Sequence, residues 1–485
     1  MAEKTVKQQT IVGAVWKFSE RVLGQLMSFI ISIILARILM PEDYGLIALV
    51  FIFTTLCDKL VICGFATSLI QKKDADSIDF SSVLIFSLGS ATVLYIVLFF
   101  SAPFIAKFYN NFDYKLLVSV LRTVGISLFI IAFSSVQHAY VSKNMLFRHN
   151  FWSALGGTLF SGGVGIAMAY MGYGVWALVV QNLMASFVDC LILFIIVKWR
   201  PRILFSVVRL KELFSYGWKI FLSSIIKMFC NDLRSLVIGK IYAPAQLAFY
   251  NRGQSLPQLI DSNITGTIDS VLFPAYSKLQ EDTVVLLRAM RRAVKTSCYI
   301  LMPALALMAA VASPLVSVLL TDKWLPCVPF MQILCLSFMF SPVETENLQS
   351  IKAIGRSDIV LKLEIIKRSS SILLLICAIP LGLNAIAWSM VVGNIIAAIF
   401  NASPNCRLLG YSFVEQLSDV LPSLCMSVLV FISSYAFVYF NSEIHVWGQL
   451  LGGIAIGALV YIIFSWVFHV EAFYYICSLL RGYKK

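Results

Sequence analysis

Residues 82–106 read SVLIFSLGSATVLYIVLFFSAPFIA, 25 positions without one charged side chain. At about 1.5 Å per residue such a run crosses the roughly 30 Å hydrocarbon core of a bilayer as a helix, whereas a barrel strand needs only about 10 residues. In hydrocarbon every backbone N–H and C=O must find an internal partner, which a helix supplies within the segment itself. The bulk composition extends this reading to the whole chain. Of 485 residues, 59% are hydrophobic and 13% charged, against about 25% charged in a soluble domain. The sequence therefore predicts an all-α integral membrane protein.

Working outward from that run, apolar windows fall near 11–36, 45–66, 82–106, 116–140, 151–170 and 175–197, then 214–238, 246–272, 296–320, 328–351, 363–381 and 384–400, and finally 421–440 and 447–470. The count predicts about 14 transmembrane helices, and an even number puts both termini on one side. Lys and Arg decide which side, because cytoplasmic loops retain positive charge. With the termini inside, the inner segments hold 23 of the 38 basic residues, while the outer loops carry a handful such as Arg37, Lys107, Lys240 and Lys323. The expected location is the bacterial cytoplasmic membrane, multi-pass, with both termini cytoplasmic. The first apolar run is too long for a cleavable signal and contains Lys17, Glu20 and Arg21.

The net charge of +13 would suggest nucleic acid only if the basic residues formed a stripe on a soluble face; here they punctuate apolar runs, so no nucleic-acid partner is expected. Eleven cysteines sit mostly within the apolar runs without CxxC spacing, which reads as core packing. His138, His149, His445 and His469 are scattered, without metal-ligand spacing, so no metal is expected. Glu344 and Glu346 are two residues apart and face different directions on a helix, so they form no catalytic carboxylate pair. There is no Walker A sequence. No catalytic residues are expected, and the chain reads as a transporter rather than an enzyme.

Self-similarity organises the windows. Trp16-Lys17-Phe18 in the first is echoed by Trp218-Lys219-Ile220 in the seventh, Ala102-Pro103 by Ser313-Pro314, and Gly172 to Leu178 by Gly382 to Trp388. The offset stays at roughly 200 to 210 residues. Six windows per copy is an even number, so the second copy enters the membrane in the same direction as the first, a parallel repeat. The expected division is an N-terminal six-helix lobe over 1–200, a C-terminal six-helix lobe over 201–410, and two additional helices with a cytoplasmic tail over 411–485. Two such bundles facing each other predict a cavity between them and alternating access by rocking.

Ionisable residues inside spans are costly and usually face protein or a water-filled cavity. At about 100° per residue, Lys17, Glu20 and Arg21 share one arc of the first window, and Lys219, Lys227 and Arg234 share one arc of the seventh. Lys17 and Lys219 either snorkel to the inner interface or line the cavity; Arg21, Lys227 and Arg234 are read as cavity cations. Lys59, Arg122 and Arg252 are further cations expected to be buried or nearly so, with structural pairing or snorkelling as the other reading. Asp261 and Asp269, on a polar face that Pro257 is expected to kink, are either counter-charges to the cationic ladder or a site for H⁺ or Na⁺ coupling. A cationic cavity suits an anion, such as an amphiphile carrying a diphosphate. A membrane potential negative inside also favours its outward movement, by about 2.3 kcal/mol per charge per 100 mV.

The opening Gly13-Ala14-Val15-Trp16, Ala36-Arg37-Ile38-Leu39 followed by Pro41-Glu42-Asp43-Tyr44-Gly45, Gly172-Tyr173-Gly174-Val175-Trp176-Ala177-Leu178, and Asn347-Leu348-Gln349 with Ala353-Ile354-Gly355-Arg356-Ser357-Asp358 occur in this order. In these motifs, and over essentially its whole length, the chain resembles the Wzx-type oligosaccharide flippases of the MOP superfamily. That resemblance implies two six-helix lobes in a V, a cationic central cavity and ion- or potential-coupled transport. The cargo it implies is an undecaprenyl-diphosphate-linked repeat unit for lipopolysaccharide, capsule or exopolysaccharide. The implied partners are this lipid-linked oligosaccharide, the membrane, and a polysaccharide polymerase with its chain-length machinery. Two rivals remain. A MATE-like multidrug exporter of the same superfamily would use acidic residues such as Asp261 and Asp269. A membrane polysaccharide polymerase or ligase would need a substantial outer loop bearing acid, base or arginine groups, and the outer loops are short.

Overall fold

A computed structural model describes residues 6–482 except 73, 198, 203 and 281; side chains at 6–14, 216, 219, 220, 223, 227, 267–271, 273, 274, 357, 476, 477 and 479–482 also lie outside the described residues. The chain divides into two compact units, residues 1–248 and 249–485. The first contains α1 (Val6–Ile38), α2 (Pro41–Ile62), α3 (Phe65–Gln71), α4 (Ser77–Phe108), α5 (Tyr114–Val124), α6 (Ser127–Lys143), α7 (Phe147–Tyr170), α8 (Val175–Ile196) and α9 (Val207–Ile241). The second contains most of α10 (Pro244–Lys278), then α11 (Thr283–Ala310), α12 (Ala312–Leu320), α13 (Val328–Phe338), α14 (Ser341–Ala353), α15 (Ser357–Ala378), α16 (Leu383–Leu408), α17 (Phe413–Phe440), α18 (Val446–Val467) and α19 (Glu471–Gly482). Among the described residues there is no strand.

Eleven helical segments among the described residues are long and apolar enough to cross a membrane. Each falls on a window expected from the sequence. The windows at 214–238, 246–272 and 363–381 are helical too, as α9, α10 and α15, but are absent from those eleven. α9 and α10 are 35 residues each and carry ionic or amide side chains along much of their length, including Lys219, Lys227, Asn231, Arg234, Arg252, Gln258 and Asp261.

Close helix approach in lipid relies on small residues, because tails are as apolar as the helices they would cover. In the first unit α7 presents Gly157 and Gly165 to α8; a Cβ on Gly157 would lie 2.9 Å from the Ala185 carbonyl oxygen. Cys63 and Gly64 take left-handed backbone conformations (φ 45° and 73°) to turn α2 into α3, and there the chain meets Gly217 of α9 so closely that a Cβ on Gly64 would lie 2.5 Å from the Gly217 carbonyl oxygen. α9 thus packs on α2, α3 and α4 of the first unit. In the second unit α11 is the central element, packing on α13, α14 and α17. Large apolar side chains remain outward for lipid, Phe104 at 75% and Phe440 at 80% exposed.

Candidate functional site

One cluster of polar groups in the first unit lies where α1, α6, α7 and α8 meet. His138 on α6 places Nε2 2.9 Å from Asp189 Oδ2 on α8, and Nδ1 3.2 Å from Asn150 Oδ1 on α7. With both neighbours accepting, both ring nitrogens must carry N–H, which is the imidazolium form; turning the Asn150 amide would allow the neutral ring. Half-buried Glu20 on α1 lies within the electrostatic field of His138, Lys17 and Asp189. The arrangement can hold a proton between α6 and α8, in the field of Glu20 on α1. His138 and Asp189 were not among the sequence-expected site residues. They are 51 positions apart and share no motif; the available signal was that both are ionisable groups inside apolar windows.

The expected cavity cations are distributed as follows. Lys17 and Arg21 are exposed on α1, and Lys17 Nζ lies 5.8 Å from the centroid of the Phe147 ring. Arg234 is half-buried on α9. The side chains of Lys219, Lys227 and Asp269 lie outside the described residues. Lys59, expected to be buried or nearly so, is exposed instead, in the last turn of α2 and inside the Pro41–Gln71 span, where an exposed cation is stable if it faces a water-filled gap. Arg122 does find a structural partner. Its Nε donates to the Phe99 carbonyl at 3.2 Å and its guanidinium stacks 3.8 Å from the Phe99 ring centroid. Arg252 lies over the fully buried Trp324 ring at 5.2 Å, and Asp261 accepts from Thr265 Oγ1 at 3.4 Å.

The second unit keeps its own buried ionic groups. Lys367 on α15, 9% exposed, donates to Glu344 at 2.9 Å and to Glu364 at 2.7 Å. Glu346, 1% exposed, accepts from Tyr276 Oη at 2.9 Å and Ser297 Oγ at 3.3 Å. Glu344 and Glu346 therefore serve different partners, as their spacing requires. The described cysteines are free, with Cys298, Cys327 and Cys335 buried.

Apolar helical spans with ionisable groups held between helices define a polytopic membrane protein. Residues 34–329 match the family described as polysaccharide biosynthesis protein, and the chain belongs to that family. It is 22% identical over 444 residues to the lipopolysaccharide biosynthesis protein WzxC of Escherichia coli K12, covering 89% of this chain and 88% of the relative. Its fold is similar to that of the lipid II flippase MurJ in an inward closed conformation, with TM-score 0.72, 18% identity, and 95% and 99% of the two chains covered. A MATE family multidrug resistance transporter of the MOP superfamily, inward-facing, aligns with TM-score 0.58 and 17% identity over 85% of this chain and 98% of its own. The resemblance read from the sequence and the family and fold found here agree.

Proposed function

We propose that the chain flips an undecaprenyl-diphosphate-linked oligosaccharide from the inner to the outer leaflet of the bacterial cytoplasmic membrane, by alternating access along a cationic path, for surface polysaccharide synthesis. The observation that carries the reading is the polarity of α9 and α10. Two 35-residue helices keep Lys219, Lys227, Arg234 and Arg252 among their residues, and such groups persist at membrane depth where they face protein or water. Guanidinium and ammonium groups offset the cost of bringing a diphosphate into a low-dielectric space. The relative WzxC, by name a lipopolysaccharide biosynthesis protein, supports surface polysaccharide synthesis as the process served.

In this reading both termini are cytoplasmic, α9, α10 and α15 cross the membrane with the eleven apolar spans, and transport draws on the membrane potential, with H⁺ or Na⁺ coupling as a further source. The His138–Asp189 pair is the group best placed to carry a coupling proton. The test is reconstitution of the full chain in vesicles containing a fluorescent undecaprenyl-diphosphate oligosaccharide. Transfer of the fluorophore between leaflets, faster than in protein-free vesicles, supports the proposal. Equal rates with and without protein, across an imposed potential of either sign, contradict it.

A further inference from the structure

At the end of the second unit where α11 begins, four cations occupy one face over two turns: Arg288, Arg291, Arg292 and Lys295. They line a cavity of about 500 Å³ that Glu471, the first residue of α19, closes on one side. A second cavity of about 530 Å³ shares Lys295 and Glu471 with the first and continues along α17, where Pro422, Cys425, Met426 and Leu429 give it an apolar wall. A charged chamber and an apolar chamber joined at one ion pair have the form of an amphiphile.

The charges inside this pair of chambers do not cancel. Arg291 is committed to Asp419, with Nε and Nη2 at 2.7 and 3.0 Å from its two oxygens, and Glu415 stands 3.5 Å away. Lys295 is 2.6 Å from Glu471 and 3.5 Å from Asp419. Arg288 and Arg292, one turn apart on the same face, have no carboxylate within 4.0 Å among the described residues; Arg292 instead lies 4.7 Å from the Tyr475 ring centroid on α19. The Lys295–Glu471 pair is held by a carboxylate side chain 68% exposed, so solvent screens it and an incoming phosphate can displace it. α19 carries Phe473, Tyr474 and Tyr475, of which Tyr475 stands against Arg292; Tyr and Trp are enriched at headgroup level.

The geometry points to a binding site for an anionic phospholipid, with its phosphate against Arg288, Arg292 and Lys295 and an acyl chain along the Pro422–Leu429 wall of α17. Basic pockets between membrane helices take such headgroups by charge, and the apolar wall adds the requirement for a chain. The lining residues belong mainly to α11, α17 and α19, and the bound lipid would tie α17 and α19 to α11.

The test uses the purified full chain in mild detergent, titrated with phosphatidylglycerol, phosphatidylethanolamine or glycerol 1-phosphate, with native mass spectrometry counting retained lipid and a melting curve recorded in parallel. Phosphatidylglycerol is expected to be retained and to raise the melting temperature, while the zwitterionic lipid and the chainless phosphate do neither. Arg288→Gln with Arg292→Gln is expected to weaken retention on the order of tenfold. Cys425→Trp, which fills the apolar chamber from an exposed position, should do the same, and Arg356→Gln at an exposed cation elsewhere should leave it unchanged. Equal retention of both phospholipids, competition by glycerol 1-phosphate as strong as by phosphatidylglycerol, or wild-type retention in both the arginine and Cys425 variants would overturn the site. None of these readouts depends on flipping, so the outcome stands apart from the fate of the proposed function.

Discussion

His138 Nε2 stands 2.9 Å from Asp189 Oδ2 across the interface of α6 and α8, which makes the pair a direct tie between two helices whose remaining contacts are largely apolar. A hydrogen bond to a charged group contributes roughly 1.5–3 kcal/mol when buried; with these side chains 38% and 19% exposed, about 1–2 kcal/mol is expected. His138→Ala and Asp189→Ala should each lower stability, and the double variant should lose less than the sum by about that amount. Denaturation in detergent measures it; additive losses would mean that the two groups do not interact.

Gly45 sits where α2 meets the start of α10. A Cβ there would lie 1.9 Å from the Pro244 carbonyl oxygen, and backbone cannot yield as a flexible side chain can. Gly45→Ala should therefore cost roughly 3 kcal/mol or more and deplete the folded protein from membranes. Gly24→Ala, with no atom within 4 Å of the added carbon, should be neutral or slightly stabilising. Comparable folded yields of the two variants would contradict the close approach.

Lys72, Asp76, Asp79, Arg209 and Glu212 fasten the start of α9 to the α3–α4 turn. Lys72 is 3.1 Å from both Asp79 and Glu212, and Arg209 is 2.5 Å from Asp76. Burial raises the Asp76 carboxyl slightly, but the Arg209 guanidinium and the Asp79 and Ile78 amides hold it below its ordinary range. Burial lowers the Lys72 ammonium, but Glu212 and Asp79 hold it above its own. The depressed acid contributes stability above its unfolded pKa of about 3.9, and this is lost as pH falls through the folded value. The raised base contributes below its unfolded pKa of about 10.4, and this is lost as pH rises through the folded value. Hydrogen exchange of amides 207–213, corrected for intrinsic rates, should stay constant from about pH 5 to 9 and quicken on either side. A change in protection near pH 6.5 would assign the fastening to another group.

Glu346 accepts the Tyr276 and Ser297 hydroxyls deep in the second unit. Glu346→Ala leaves both donors without this acceptor, at about 1–3 kcal/mol each. Glu346→Gln retains an acceptor oxygen and should cost under about 1 kcal/mol. Thermal melts of the two variants decide; equal losses would exclude the hydrogen-bonding role.

The apolar windows made the helices legible because burial in lipid imposes an unbroken run on each span. That same rule sets α9 and α15 apart from the eleven apolar segments found among the described residues: Lys219, Lys227 and Arg234, or Glu364, Lys367 and Arg368, interrupt the run. Side-chain partners were less legible. Spacing correctly separated Glu344 from Glu346, since neighbours on one helix obey a fixed angle. No spacing linked His138 to Asp189, or Lys367 on α15 to Glu344 on α14, because those pairings are set by how helices pack. Lys59 reads as nearly buried from its place in an apolar window, but its side chain is exposed, because exposure depends on which helices pack beside α2.

In the proposed function cations inside the membrane serve an anionic cargo, and leaflet-resolved analysis of lipid-linked oligosaccharide in cells carrying Arg21→Ala or Lys227→Ala puts that role to the test. The expected result is precursor retained on the inner leaflet and surface polymer lost, with normal amounts of the variant protein in the membrane. Normal surface polymer and outer-leaflet precursor in both variants would contradict it.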